Sequence, residues 1–311
     1  MSEPFPTLRA SIEKYFSLGG AAVGDSAARE AFLELRLALE AGTVRAAEPD
    51  PASATGWRVN AWVKQGILLG FRIGQLAGLG GAHESSTELQ PSGASSSAHE
   101  ALPKPQSSGG FSYIDKDTFP ARRFTAEQAI RIVPGGSAVR AGAYLARSVV
   151  VMPPSYVNVG AYVDEGAMID SHALVGSCAQ IGKRVHLSAA AQVGGVLEPV
   201  NASPVILEDD VLVGGNCGVY EGTIVRHSAV LAAGTILTRG TPVYDVVRGE
   251  VLRAQPDQPL IVPEGAVVVP GARAVAKGHG EKWGLSVYTP VIVKYRDEKT
   301  ELSLALEDLL R

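Results

Sequence analysis

The sequence predicts a mainly β protein organised around a left-handed parallel β-helix of about six coils, with a helical domain before it and a small strand-and-helix extension after it. The first observation behind this is a beat of six. From Val133 an aliphatic residue returns at Val139, Leu145, Val151, Val157, Val163, Ile169, Val175, Ile181, Leu187 and Val193, and the beat resumes at Leu207, Val213, Val219, Val225, Leu231, Leu237 and Val243. The second is that the fifth place of most hexads is small, as at Ala143, Ala161, Ala167, Ala173, Ala179, Ala191 and Cys217. The third is negative: neither the helix period of 3.6 nor strand alternation produces a repeat of six. A coil with three flat faces does, because one aliphatic and one small side chain fill each side of a triangular core. Eighteen hexads give six coils, a prism roughly 29 Å tall at about 4.8 Å per coil. The left-handed sense departs from the usual right-handed crossover.

The elements follow in order. Residues 1–77 read as a helical domain. One helix over 27–41 carries Phe32, Leu35 and Leu39 on one stripe, with Gly42 as its stop. A second over 57–75 places Trp57, Ala61, Lys64, Leu68 and Phe71 at helical spacing. Gly66, Gly70 and Gly74 weaken it intrinsically, so it must lean on a neighbour. Trp57 and Trp62 read as core or interface packing. Residues 78–110 turn to Gly, Ser, Ala and Pro and read as a flexible linker or surface loop, with His83 and His99 inside it carrying no metal role. The prism unit spans 111–248, its first residues to 130 being a transition into the first coil. Residues 249–311 form the extension: a momentary return of the hexad at Ile261 and Val267, an alternating strand over 286–295, and a short helix over 300–311 with Thr300 as N-cap. A β-helix exposes unpaired edges at its ends, and the helical domain and extension are the natural covers.

Composition narrows the function classes. Hydrophobic residues at 46%, charged residues at 19% and a net charge of −4 describe a soluble globular protein with no nucleic-acid partner. No apolar run approaches a membrane span. The N-terminus, mixed in charge and amphipathic, does not read as a secretory signal. The two cysteines fall on different phases of the hexad, Cys217 inward and Cys178 outward, so no disulfide is expected and a reduced, cytoplasmic setting fits.

A prism packed with aliphatic and small residues has no internal pocket. Chemistry must lie on its outer faces, between subunits, or where the count breaks. Between Val193 and Leu207 there are fourteen residues where twelve would keep phase, so a loop containing Glu198 and running to Pro204 leaves the coil. Solenoid insertions tend to gather on the functional face.

The run YVNVGAYVDEGAMIDSHALVGSCAQIGKRVHLSAAAQVGGVLEP over residues 156–199 resembles the tetrahydrodipicolinate N-succinyltransferases of diaminopimelate and lysine biosynthesis. WRVNAWVKQGILLGFR over 57–72, IRIVPGG over 130–136 and VIVKYRDEKT over 291–300 support it. The resemblance implies a homotrimer of β-helices with active sites between neighbouring prisms. It also implies succinyl-CoA as co-substrate in the groove, with no permanently bound cofactor or metal. It places the substrate-binding acid of the family on Asp170 and its substrate-binding arginine on Arg131. Both make chemical sense: a carboxylate near the amine takes up the proton that an ammonium must lose before attack, and a guanidinium clamps a carboxylate in bidentate fashion. Backbone N–H groups at Gly194 and Gly195 are candidate donors to the thioester oxygen. Lys277 is a candidate for the CoA phosphates, against a solvated loop charge.

Two departures from the family pattern stand out. A second acid is expected at the position of Gly218, so Glu221 or Glu198 would have to act as Asp170's partner. His172 replaces a Trp and can serve as a base near neutral pH or as an acceptor contact; His186 and His227 read as structural. A related N-acyltransferase with another donor or acceptor, and a non-catalytic β-helix scaffold, stay open as alternatives.

Overall fold

Each hexad forms a two-residue strand followed by a tight corner in the computed structural model, which describes residues 5–79 and 113–296. The strands stack in parallel into three faces. Face one holds Arg131–Ile132, Val150–Val151, Met168–Ile169, His186–Leu187, Leu212–Val213, Val230–Leu231 and the start of Ala266–Ala274. Face two holds Ala138–Val139, Tyr156–Val157, Leu174–Val175, Gln192–Val193, Gly218–Val219 and Ile236–Leu237. Face three holds Tyr144–Leu145, Tyr162–Val163, Gln180–Ile181, Ile206–Leu207, Ile224–Val225 and Ile261–Val262. The second residue of nearly every strand points into one continuous core with the small residues Ala143, Ala161, Ala167, Ala173, Ala179, Ala191 and Cys217. Six coils plus one further rung result, as the period implies.

The corners explain why the chain turns every six residues. Their second residue takes the left-handed backbone conformation, by glycine at Gly142, Gly160, Gly166 and Gly234 and by other residues at Ser148, His172, Cys178, Arg184, Ala190, Asp210, Asn216 and Ser228. Outside glycine this costs about 1–2 kcal/mol per residue. Ladder bonds from each corner to the coil before it offset the cost, as where His172 N–H donates to Pro154 O at 2.6 Å and Ala190 N–H to Ser171 O at 2.8 Å.

The count itself needs four corrections. The first inward residue is Ile132, not Val133: Ile132 pairs with Val151, and the following turn is one residue longer because it passes through Gly135 and Gly136, both at positive φ. The break after Val193 is an insertion within one corner, not a two-residue slip over two hexads, since Leu207 stacks directly on Ile181 as the next rung. After Leu237 the chain leaves the prism. Val243 is buried, but its strand Val243–Asp245 pairs with Glu250–Leu252 and with the C-terminal strand rather than taking the next rung. That rung is filled by Ile261–Val262 on Ile224–Val225, and Val267 then pairs with Val230, so the prism runs to Val268 rather than ending at 248.

The helical domain covers face three. It contains α1 (Pro6–Ser17), α2 (Ser26–Glu40) and α3 (Ala61–Ile73), with α2 capped by Asp25, whose Oδ1 accepts from the Ala27 and Ala28 amides. Trp57–Val59 is a strand paired with Ala47–Pro49 instead of the start of a helix. The glycines of α3 do lean on a neighbour: a Cβ at Gly66 would lie 2.1 Å from Leu35 Cδ2, and one at Gly70 2.2 Å from Phe32 Cε2. On the prism side, Arg45 stands 3.6 Å above the Tyr162 ring and donates to Gln180 Oε1, while Trp57 Nε1 donates to Glu208 Oε1. Cys178 points outward from its corner as expected, yet is buried among the helical domain's side chains with Ile67 and Val159; both cysteines are free thiols.

At the far end, Ala266–Ala274 and Ser286–Tyr295 form an antiparallel hairpin with the short helix α4 (His279–Lys282) near its tip. Val268 and Ile292 close the core there. The linker, apart from Gly78 and Leu79 in the strand Leu76–Leu79, and the helix expected over 300–311 lie outside the described residues.

Candidate active site

With face three covered, faces one and two and their shared edge carry the candidate residues. Asp170 ends a face-one strand, half-buried, and its Oδ1 accepts the Ser171 N–H at 2.6 Å. Asn158 and Asp164 make the same bond to Val159 and Glu165 at their own corners, so part of Asp170's role is that of a turn residue. The bond engages one carboxylate oxygen. His172 occupies the same corner with its side chain exposed, and its carbonyl accepts from Gln192 Nε2 at 3.1 Å. Arg131 is exposed on the first rung of face one, two rungs from the strand leading to Asp170, a separation of roughly 10 Å. These three residues share one side of the prism.

The remaining candidates fall elsewhere. Glu221 lies on the opposite edge of face two, at the corner toward face three, where its Oε2 accepts the Arg239 N–H at 2.8 Å. Glu198 is exposed on the inserted loop leaving that same edge. Neither meets Asp170 within one chain. Gly194 cannot act as an oxyanion donor, because its N–H is bonded to Val219 O at 2.8 Å. Gly195 lets the departing backbone press on the neighbouring corner: a Cβ there would sit 2.6 Å from Ser177 N. Lys277 is exposed near the hairpin tip. His227 Nδ1 lies 3.7 Å from Asp210 Oδ2, as suits a structural residue, and His186 sits in the outward column of face one between Met168 and Leu212.

Two residues escaped the sequence reading. Lys64 has no exposed surface, and its Nζ donates to Ala202 O at 2.6 Å, tying the inserted loop to α3. Burial lowers its pKa, and burial pushes the nearby Cys178 thiol up to about 12. A lysine within the apolar stripe of a helix was the available signal. Tyr220 is the second. A Cβ at Gly218 would lie 2.3 Å from its Cε2 and 2.9 Å from its hydroxyl, and a Cβ at Gly194 2.8 Å from its Cδ1. The ring therefore lies across face two over two glycines, and it covers the position where the second acid was expected. The clue was the spacing Gly218–Tyr220, since residues two apart on a strand share a side.

Comparison with known proteins agrees with this architecture. Residues 7–73 match the family model described as tetrahydrodipicolinate N-succinyltransferase N-terminal, and residues 204–239 the hexapeptide repeat of succinyl-transferase. A 2,3,4,5-tetrahydropyridine-2,6-dicarboxylate N-succinyltransferase from Azoarcus sp. (strain BH72) is 41% identical over 305 residues, covering 97% of this chain and 96% of its own. The protein of that name from Aromatoleum aromaticum is 41% identical over 290 residues, 92% of this chain and 90% of its own. Among solved structures, a hexapeptide-repeat acetyltransferase from Vibrio cholerae aligns with 39% of this chain and 65% of its own at 20% identity and a TM-score of 0.28, too low to bear on the assignment. The near-complete coverage at this identity, on a hexapeptide prism with its matching helical domain, means that the chain belongs to the tetrahydrodipicolinate N-succinyltransferase family.

Proposed function

We propose that the protein moves a succinyl group from succinyl-CoA to the amine of tetrahydrodipicolinate, the succinylation step of diaminopimelate and lysine biosynthesis, acting in the cytoplasm as a homotrimer. The observation that carries this is the end-to-end relationship to proteins named for that reaction. The geometry is consistent with it. Arg131 and Asp170 stand on one side of the prism, separated by a span suited to gripping a carboxylate at one end of an elongated acceptor and the amine at the other. The amine arrives as an ammonium, loses a proton to the Asp170 carboxylate and attacks the thioester carbon. His172, exposed on the same corner, is the other group placed to accept that proton.

The trimer reading draws on the division of the candidates. Asp170 and His172 stand on one edge of face two, while Glu198 and Glu221 stand on the other. A cyclic assembly that sets one edge of a prism against the opposite edge of its neighbour would bring the two sets together. Face one also turns Val150, Met168, Leu212 and Val230 outward, an apolar column suited to meeting another copy. Succinyl-CoA would enter as a co-substrate, with Lys277 left to meet its phosphates.

A second reading, N-acyl transfer with another donor or amino-acid acceptor, is favoured by Gly218, whose place is taken by the Tyr220 ring. Incubating the purified protein with succinyl-CoA or acetyl-CoA and the acceptor, and following free CoA thiol, tests the leading reading. Thiol release that needs both succinyl-CoA and tetrahydrodipicolinate is expected; release with acetyl-CoA alone among the donors would sink it.

A further inference from the structure

Attack on a thioester drives negative charge onto the carbonyl oxygen, and a site for this reaction needs a hydrogen-bond donor fixed where that charge develops. The Gly194 N–H is not available, being held by Val219 O in the ladder. The same region of face two carries a different donor. The Tyr220 ring folds back from its own corner, over Gly194 on the coil below and over Gly218 two residues earlier in its strand. Its hydroxyl is thereby carried across the face, away from the Glu221 edge and toward the edge that bears His172 and Asp170. No hydrogen-bond partner for this hydroxyl is found among the described residues, whereas the hydroxyls of Tyr288 and Tyr295 are tied to the Ile236 amide and to Asp245. Any side chain at 218 would displace the ring, so the strand keeps a glycine as its first residue, with no side chain of its own to pack there.

We infer that Tyr220 is the oxyanion donor of this enzyme, its hydroxyl held over Gly218 to bond the thioester oxygen in the transition state. The inference rests on the acyl-transfer reading above. The amine nitrogen forms a bond to the thioester carbon as the C=O electron pair moves onto oxygen. The Tyr220 O–H donates a hydrogen bond to that oxygen without giving up its proton. On collapse the C=O re-forms and the C–S bond breaks; sulfur leaves with the electron pair and takes the proton that the acid–base group had drawn from the ammonium, and the group so freed accepts the nitrogen's extra proton.

The test is Tyr220→Phe, which keeps the ring on its two glycines and removes only the hydroxyl. Rates are measured with whichever CoA thioester the wild type turns over, so a failure of succinyl-CoA as donor is read from the wild type and a failure of this inference from the ratio of variant to wild type. A fall in kcat of about 10²–10³-fold, the effect of removing one oxyanion donor, with KM for both substrates and thermal stability held, is expected. Gly218→Ala, which keeps the hydroxyl but forces the ring aside, should show the same kcat loss. A Tyr220→Phe kcat within about threefold of wild type, or an effect confined to KM, would overturn the assignment.

Discussion

Substitution of Asp170 separates chemistry from turn-making, because the structure supplies an internal control. Asp170 Oδ1 accepts the Ser171 N–H at 2.6 Å, and in the same coil Asp164 Oδ1 accepts the Glu165 N–H at 2.8 Å. Asn preserves that acceptor in both places. A bond to a charged acceptor contributes about 1.5–3 kcal/mol and a neutral one about 0.5–1.5 kcal/mol, so either Asp→Asn change should cost about 1 kcal/mol of stability. Activity should divide the two variants. Asp170→Asn removes the carboxylate proposed to take the ammonium's proton, and kcat should fall by at least about 10²-fold, or about 2.7 kcal/mol of barrier. Asp164→Asn should keep kcat near wild type. The assay is steady-state CoA release at saturating substrates, beside a urea melt of each variant. Near-normal turnover by Asp170→Asn would remove Asp170 from the chemistry, and an equal loss in Asp164→Asn would show that only the corners had been disturbed.

Other consequences follow from the packing. Gly70→Ala gains about 1 kcal/mol of helix propensity but sets a Cβ 2.2 Å from the Phe32 ring and 2.7 Å from Phe119, an overpacking cost of about 1–3 kcal/mol; a lower urea midpoint is expected. Ile181→Ala, in the fully buried column between Val163 and Leu207, should cost about 2–5 kcal/mol in the same melt. Asp245 is buried, which opposes its ionisation, but bonds from Tyr295 and the Arg248 and Val247 amides outweigh this and hold its pKa below the ordinary carboxylate value. Its contribution is therefore present above about pH 4 and lost as pH falls through the folded-state pKa, and Asp245→Asn should flatten the acid limb of the stability–pH curve. Both thiols are buried and their pKa values raised by burial, Cys178 to about 12, so a thiol reagent added to native protein should register no fast-reacting cysteine.

The fold was legible because its rule is local and repeated: one aliphatic and one small residue per face, read straight from positions such as Ile169 and Ala167. The errors lie where the chain leaves that rule. At Val193 and Leu237 it makes excursions whose lengths carry no memory of the repeat, so counting hexads across them misassigned Val243 and ended the prism early. At the first coil the choice between Ile132 and Val133, both aliphatic, was made by a long glycine turn that the period does not register. Asp170 came from the family resemblance and His172 from a departure from its pattern, and the structure places both on one regular corner. Gly218 stands out in the sequence as a departure, but the ring that lies over it arrives from two residues further on, and its reach is a matter of rotamer rather than of sequence. The division of Asp170 from Glu221 and Glu198 between two edges likewise needed the three faces to be laid out in space.

A one-pot donor competition decides whether the protein carries a succinyl group to the amine of tetrahydrodipicolinate. The protein is given equal concentrations of succinyl-CoA and acetyl-CoA with tetrahydrodipicolinate, and the acylated products are separated by mass. The N-succinyl product should dominate by at least about 10²-fold, the discrimination expected when a site pairs the donor's free carboxylate and a donor without it leaves buried polar groups unmatched. An N-acetyl product in equal or greater amount would contradict it.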